Sequence, residues 1–151
     1  MDSEVLNQIR KLSQQYAYTS IQMHEAIARQ AGLPGTDHKY LGFLLQKGAM
    51  TAGELSNLTG LTTGAITGLI DRFEKKGLVT RQFAEDDRRK VIIKPNTENI
   101  MTLFAPLYKD FRSKSQELLA SFSNKEIKVI ETYFSKAIEI MNETTSKLNN
   151  K

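Results

Sequence analysis

Basic side chains are concentrated in one stretch of this sequence. Between Arg72 and Lys94 there are eight basic and four acidic residues, a net charge of +4 that equals the formal net charge of the whole 151-residue chain. Cationic side chains displace counterions from phosphates, so such a stretch suits contact with nucleic acid. A solvated charged loop is the alternative interpretation of the same residues.

A helix with an unusually small polar face leads into this basic stretch. The spacing predicts a helix from Thr62 or Thr63 to Lys76, with an apolar face of Ile66, Leu69, Ile70 and Phe73. The opposite face carries Thr63, Gly64, Thr67, Gly68, Asp71, Arg72 and Lys75. Glycine inside a helix costs about 1 kcal/mol relative to alanine. A face of Gly and Thr lets the backbone approach a groove floor, where Thr can contact base edges and thymine methyls. Tolerated small surface residues are the alternative.

The elements around this helix follow a known order. Thr51-Ala52-Gly53-Glu54 is a capping box that opens a short helix to about Leu58, and Thr59-Gly60-Leu61 forms a turn. A short capped helix, a glycine turn and a second helix are typical of a helix-turn-helix. The strands Leu78–Phe83 and Val91–Lys94 follow as a hairpin with the polar connection 84–90, and Pro95 ends the second strand.

Helices are predicted on both sides of this lobe. One runs roughly from Glu4 to Gln30, and a second from near Thr36 to Gly48 has the apolar stripe Tyr40, Leu41, Leu44 and Leu45. The last third is helical, with a kink or break expected at Pro106 and a capping box at Ser123–Glu126. Apolar faces around 5–16 and 127–141 exceed what one small lobe can cover, so we predict a homodimer.

Two segments near the hairpin have a specific pattern. Asp87-Arg88-Arg89-Lys90-Val91-Ile92-Ile93 follows the helix exit Phe73-Glu74-Lys75-Lys76-Gly77-Leu78-Val79. In these segments the chain resembles the MarR family (multiple antibiotic resistance regulators), whose wing has the pattern D-x-R-x-x-x-[VI], and the resemblance extends over essentially the whole chain. Pro95-Asn96 departs from the usual Leu-Thr, although Asn96 can still cap the next helix.

The resemblance implies a fold that is mainly α with a small β-hairpin wing. It is a winged helix-turn-helix, divided into an N-terminal dimerisation helix (1–34), a DNA-binding lobe (35–96) and C-terminal dimerisation helices (97–151). The implied function is an effector-responsive repressor that binds a pseudo-palindromic operator in double-stranded DNA as a dimer. The segment 62–68 would read the major groove, Arg89 would enter the minor groove, and Asp87 would brace the wing by pairing with Arg89 or Arg72. The predicted DNA-contacting set is Thr62, Thr63, Gly64, Thr67, Gly68, Arg72, Lys75, Asp87, Arg88, Arg89 and Lys90.

A small-molecule effector site is also implied by the resemblance. In relatives a cleft opens between the dimerisation helices and each DNA-binding lobe. The candidate lining residues are Tyr16, Ser20, Met23, His24, Phe43, Phe104 and Tyr108. An ordinary role in the core is the alternative for each of them.

Other classes of function find little support in the composition. The absence of cysteine excludes disulfides, thiolate catalysis and cysteine-ligated zinc, and no phosphate-binding P-loop occurs, so we predict no enzyme. His24-Glu25 and His38 lack the spacing of a zinc cluster, so we predict no metal and no cofactor. No apolar run approaches a membrane span, which predicts a cytoplasmic protein. A winged helix that binds a protein partner, without specific DNA binding, is the second hypothesis.

Overall fold

The fold consists of six helices and three short strands, which a computed structural model describes over residues 1–150. In chain order they are α1 (Ser3–Gln30), α2 (Asp37–Lys47), β1 (Met50–Thr51), α3 (Ala52–Thr59), α4 (Thr63–Lys75), β2 (Val79–Phe83), β3 (Val91–Pro95), α5 (Thr97–Ala120) and α6 (Asn124–Asn149). The predicted fold class, mainly α with a hairpin wing, is confirmed.

Side-chain caps mark the starts of the helices other than α2, where Thr36 makes no such bond. The Thr51 hydroxyl oxygen accepts the Glu54 amide at 3.1 Å, which is one half of the predicted capping box at α3. At α6 both halves form: Ser123 N donates to Glu126 Oε2 at 2.7 Å and Glu126 N donates to Ser123 Oγ at 3.3 Å. Asn96 Oδ1 accepts the Asn99 amide at 3.0 Å, so Asn96 caps α5 as expected.

The three strands form one antiparallel sheet in the order β1-β3-β2. The hairpin pairs Phe83 with Val91 next to its connection, and β1 pairs Met50 with Ile93 on the other side of β3. The sequence analysis missed β1, because two residues are too few to show an alternating pattern. The second strand of the hairpin extends to Pro95, one residue past the predicted end, where no ladder donor is needed.

The core lies in the lobe formed by α2, α3, α4 and the sheet. Its most buried side chains come from α2, α3, α4 and the sheet: Leu44, Leu55, Ile66, Leu69, Ile70, Phe73, Leu78, Val79 and Ile93. The predicted apolar face of α4 is therefore buried throughout. The prediction for Leu45 was wrong, since it is 43% exposed on the outer side of α2.

Of the predicted kink or break at Pro106, the break does not occur, because α5 continues through this residue. The kink stays a prediction. Proline removes only one backbone donor, which a 24-residue helix with intact neighbouring turns can tolerate. The chain divides into two compact units, Met1–Tyr108 and a second that begins at Lys109, with the boundary inside α5. The sequence-based division at residues 34 and 96 stays a prediction. None of the described helices has the length and apolarity of a membrane span.

Candidate nucleic-acid interface

The outer face of α4 is built from small exposed residues. Ile66 and Phe73 fix the rotation of the helix by burying its inner face completely, which leaves Thr63, Gly64 and Thr67 exposed. A Cβ atom added to Gly64 would meet nothing within 4 Å, and one at Gly68 would meet only Arg72 Nη1 at 3.8 Å. The packing of the lobe therefore does not require glycine at either position.

The threonine hydroxyls of this helix are partly occupied. The Thr62 side-chain oxygen caps α4 by accepting the Ala65 amide at 3.3 Å. The Thr67 hydroxyl donates to the Thr63 carbonyl oxygen at 3.0 Å, so its proton is used inside the helix. What Thr67 presents outward is its γ-methyl group and the lone pairs of its oxygen. From the sequence these hydroxyls were expected to contact base edges, and their bonds within the helix were not foreseen.

Side chains also fix the turn between α3 and α4. Ser56 Oγ donates to the Leu61 carbonyl oxygen at 2.6 Å, and Thr59 Oγ1 accepts the Leu61 amide at 3.2 Å. Gly60 adopts a left-handed conformation with φ of 72°, which favours glycine. These contacts hold the two helices of the helix-turn-helix in a set orientation, and sequence reasoning found only the glycine.

In the wing connection, Asp87 bonds to the exposed side chain of Arg89. Asp87 Oδ1 accepts both the backbone amide of Arg89 at 3.0 Å and its Nε at 3.2 Å. Arg89 is nevertheless 92% exposed along its side chain, and Arg88 and Lys90 are exposed on either side. Of the two arginines considered as partners of Asp87, the structure pairs it with Arg89.

Arg72 is paired with Asp37 and not with Asp87. Its Nε and Nη2 donate to the two carboxylate oxygens of Asp37 at 3.1 and 3.0 Å, and this carboxylate is only 1% exposed. The hydrogen bonds to Asp37 raise the pKa of Arg72, so the guanidinium stays charged. Sequence reasoning missed Asp37, which is separated from Arg72 by 35 positions and shows no local signal.

Arg81 on β2 bridges two acidic residues of α4. Its Nη2 donates to Asp71 Oδ1 and its Nη1 to Glu74 Oε1, both at 2.5 Å. Its hydrogen bond to Asp71, with further contributions from Glu74, raises the pKa of Arg81. The sequence analysis counted Arg81 only as part of the basic stretch.

Four aromatic side chains of α1, α2 and α5 form a cluster. Three of them, His24, Phe104 and Tyr108, are effector-site candidates, and the fourth is His38. His24 Nδ1 and the Tyr108 hydroxyl are hydrogen-bonded at 2.5 Å, and the His24 ring stacks on His38 at 5.4 Å between centroids. His38 Nδ1 donates to the Gly35 carbonyl oxygen, and Phe104 lies 6.5 Å from the Tyr108 ring. Burial and, second, the charge of His38 lower the pKa of His24 below 6.5, and burial raises that of Tyr108.

The other effector-site candidates lie in different surroundings. Tyr16 is exposed, Ser20 and Met23 are half-buried on α1, and Phe43 packs against the core of the lobe, as Phe104 of the cluster also does. Among residues 1–150, no group of three or more His, Asp, Glu or Cys side chains is arranged to hold a metal ion.

The sequence is similar to those of known proteins. A model of the MarR family matches residues 31–90. The sequence is 39% identical to the HTH-type transcriptional regulator YcgE of Bacillus subtilis over 132 residues, which are 85% of this chain and 83% of that protein. It is 28% identical to the HTH-type transcriptional regulator MhqR of B. subtilis, over 75% of this chain and 78% of that protein.

Solved structures of other proteins share the fold of this chain. A MarR family protein from Bacillus stearothermophilus matches with a TM-score of 0.72 and 29% identity, over 94% of this chain and 99% of that chain. A mutant of S. aureus MepR bound to an oligodeoxyribonucleotide shares the fold with a TM-score of 0.59 at 18% identity, over 88% of this chain and 97% of that chain. This chain therefore belongs to the MarR family of HTH-type transcriptional regulators.

Proposed function

We propose that this regulator is an effector-responsive repressor that binds a pseudo-palindromic operator as a homodimer. In this proposal α4 enters the major groove and the wing, which is the connection 84–90 with the ends of β2 and β3, enters the minor groove. The relatives that it resembles are transcriptional regulators and not enzymes, and one MarR-like neighbour carries DNA.

The observation that carries the proposal is the outer face of α4. Gly64 and Gly68 lie inside a helix, where each costs about 1 kcal/mol relative to alanine. Neither position is required to be glycine by contacts within the chain, because an added Cβ would meet no close neighbour. A small face on an exposed helix is explained by something outside the chain that approaches the backbone closely, and the floor of a major groove fits this requirement.

The wing supports the same partner. Its exposed arginine is preset by Asp87, and a guanidinium is weakly hydrated and planar, so it suits a narrow minor groove of enhanced negative potential. Arg88 and Lys90 flank it and add charge for phosphates.

Homodimer formation is supported by exposed apolar side chains at both ends of the chain. On α1 these are Val5, Leu6, Ile9 and Leu12, and on α6 they are Val129, Phe134, Ile138, Ile140 and Met141. No residue of α6 is buried within the single chain. An apolar surface of this extent on a soluble protein is expected to be covered, and a second copy also supplies the symmetry of a palindromic site.

The aromatic cluster of His24, His38, Phe104 and Tyr108 is the place where we propose that an effector acts. Apolar ring faces combined with a few hydrogen-bonding atoms suit a small aromatic molecule. Such a ligand would compete with the bond between His24 and Tyr108. A screen for compounds that release bound DNA tests this, with Tyr108→Phe as the variant expected to shift the response. Release that is identical in this variant would argue for another site.

The proposed function is tested by equilibrium binding to DNA at two salt concentrations. A dimer that neutralises phosphates should lose affinity steeply as salt rises, with a log–log slope of about −0.9 per phosphate contacted. An operator fused to a reporter gene should be silenced when the protein is present. A shallow slope together with capture of a protein partner would instead support a winged-helix interaction module.

A further inference from the structure

We propose that Arg72 and Arg81 are positioning residues that hold α4 from two sides, and that neither contacts a phosphate. This inference rests on the proposed binding of DNA by α4. It assigns two of the eight basic residues of the 72–94 stretch to the protein's own carboxylates and leaves the other six for DNA.

Arg72 is tied to the first residue of α2. Its two hydrogen bonds satisfy both oxygens of Asp37, a carboxylate that is almost wholly buried. Moving the guanidinium to a phosphate would leave this buried charge unpaired, which is strongly unfavourable. Bidentate pairing also fixes direction as well as distance, so it sets where α4 lies relative to α2. Arg72 therefore acts on DNA only through the placement of its helix.

Arg81 ties α4 to the hairpin. Its two terminal nitrogens each bond a separate carboxylate, Asp71 and Glu74, which lie one turn apart on α4. These two carboxylates would repel the phosphates of a bound duplex if they were left uncompensated. The arginine therefore has two effects: it offsets the negative charge of the recognition helix and it fixes the angle between that helix and β2.

The two arginines connect the same segment of α4 to two different elements. Arg72 leaves α4 toward α2, whereas Arg81 reaches α4 from β2, and their partners lie at 37 and at 71 and 74. The distance between the outer face of α4 and the wing decides whether both grooves can be contacted at once. We expect the loss of either tie to weaken binding to the operator more than binding to random DNA.

Salt dependence separates positioning from phosphate contact. Affinity is measured by fluorescence anisotropy over a range of salt, on an operator obtained by selection and on random duplex DNA, with Lys75→Ala as the control. Lys75 lies on the same helix, is exposed and belongs to the proposed contact set. Its loss should reduce the salt slope by about 0.9. Arg72→Ala and Arg81→Ala should keep the wild-type slope and bind the operator roughly tenfold more weakly at every salt concentration.

Conservative and partner variants sharpen the test. Arg81→Lys keeps the charge but cannot bond two carboxylates in a fork, so it should resemble Arg81→Ala; a phosphate contact would instead be largely retained. Asp71→Asn removes a negative charge and should tighten binding to random DNA, yet weaken binding to the operator. Asp37→Ala is informative because this residue is buried and cannot contact DNA. It should lower operator preference, and Asp37→Ala combined with Arg72→Ala should be no worse than the worse single variant.

Each outcome has a defined meaning. If Arg72→Ala unfolds, the combined variant without either charge replaces it, and the exposed Arg81 series is measured independently. If folded variants of both arginines keep the wild-type ratio of operator to random affinity, the residues serve stability alone and the inference is wrong. It is also wrong if each arginine lowers the salt slope as Lys75 does. A wild-type protein without salt-dependent binding would refute the proposed function itself.

Discussion

Asp87 and Arg89 are paired within the wing. One carboxylate oxygen accepts both the amide and the Nε of Arg89, so the arginine is directed before any partner arrives. We expect Arg89→Ala to weaken operator binding by about 1–3 kcal/mol and to flatten the preference for A·T-rich flanks. Arg88→Ala should cost less and mainly reduce the salt slope, as the loss of a phosphate contact does. If Arg88 proves the costly residue, the assignment of the wing register is off by one.

Removing Asp87 should change specific and non-specific binding in opposite directions. Asp87→Ala deletes a negative charge, so electrostatics predicts tighter binding to random DNA. The same change frees Arg89 from its set position, so operator binding should weaken. Affinities for both kinds of DNA check this prediction. If both affinities rise together, Asp87 does not brace the wing.

His24 should make folding stability depend on pH. Burial and the charge of His38 lower the pKa of His24 below its usual 6.5, so the unfolded chain binds a proton more readily than the folded one. As far as His24 is concerned, the free energy of unfolding is highest above pH 6.5. It falls as pH drops from 6.5 through the pKa of His24 in the folded protein. Urea unfolding at pH 7.5 and at 5.5 measures the effect, and His24→Gln should reduce the difference. An unchanged difference would contradict it.

Residue-level prediction from sequence succeeded where the signal was local. The capping pair at Ser123 and Glu126 and the cap at Asn96 depend on neighbours three positions away, so spacing alone indicates them. The pairing of Asp37 with Arg72 depends on tertiary packing between α2 and α4, so no local pattern indicates it. The bond from the Thr67 hydroxyl to the Thr63 carbonyl is local, but it depends on the rotamer of Thr67, which spacing alone does not indicate.

At the scale of elements, we propose that α4 carries the preference for DNA sequence. We expect Thr67→Ala and Gly68→Glu to abolish discrimination among DNA sequences while the fold stays intact. Thr67→Ala removes the methyl group and the oxygen that this side chain presents outward. Gly68→Glu places bulk and negative charge where the backbone should approach the groove. Gly42→Glu is the matched control: it adds the same side chain at an open, exposed helix position on α2.

Circular dichroism and binding-site selection measure the outcome. The control should select the wild-type sites, whereas the two α4 variants should select none. Unchanged selection by both α4 variants would show that this helix does not read bases.

The elements themselves were largely predictable because their periodicity is strong. Four apolar residues at helical spacing on α4 predicted its buried face, and all four are in the core. The errors have physical causes. Strand β1 is two residues long, Leu45 lies at the edge of its stripe and faces outward, and α5 accommodates Pro106 without ending. Each outcome depends on packing that a sequence window does not contain.

At the scale of the whole molecule, a dimer is expected. The apolar side chains of α1 and α6 need a cover that the single chain does not provide for α6. Light scattering at micromolar concentration should give twice the chain mass of 17.1 kDa. Ile138→Glu should shift the protein toward monomer and weaken operator binding, whereas Asn142→Glu, at an exposed polar position of the same helix, should do so less. A wild-type monomer would refute both the dimer and the palindromic operator.

Selection of bound duplexes from random DNA is the sharpest test of whether α4 reads sequence within a symmetric dimer. Wild-type protein and the Gly68→Glu variant are carried through the same selection. We expect wild type to enrich an inverted repeat whose half-sites are about one helical turn, ~34 Å, apart, with A·T-rich flanks at the wing positions. The variant should enrich nothing. Enrichment of no sequence by wild type, or of the same sequence by both proteins, would contradict this expectation.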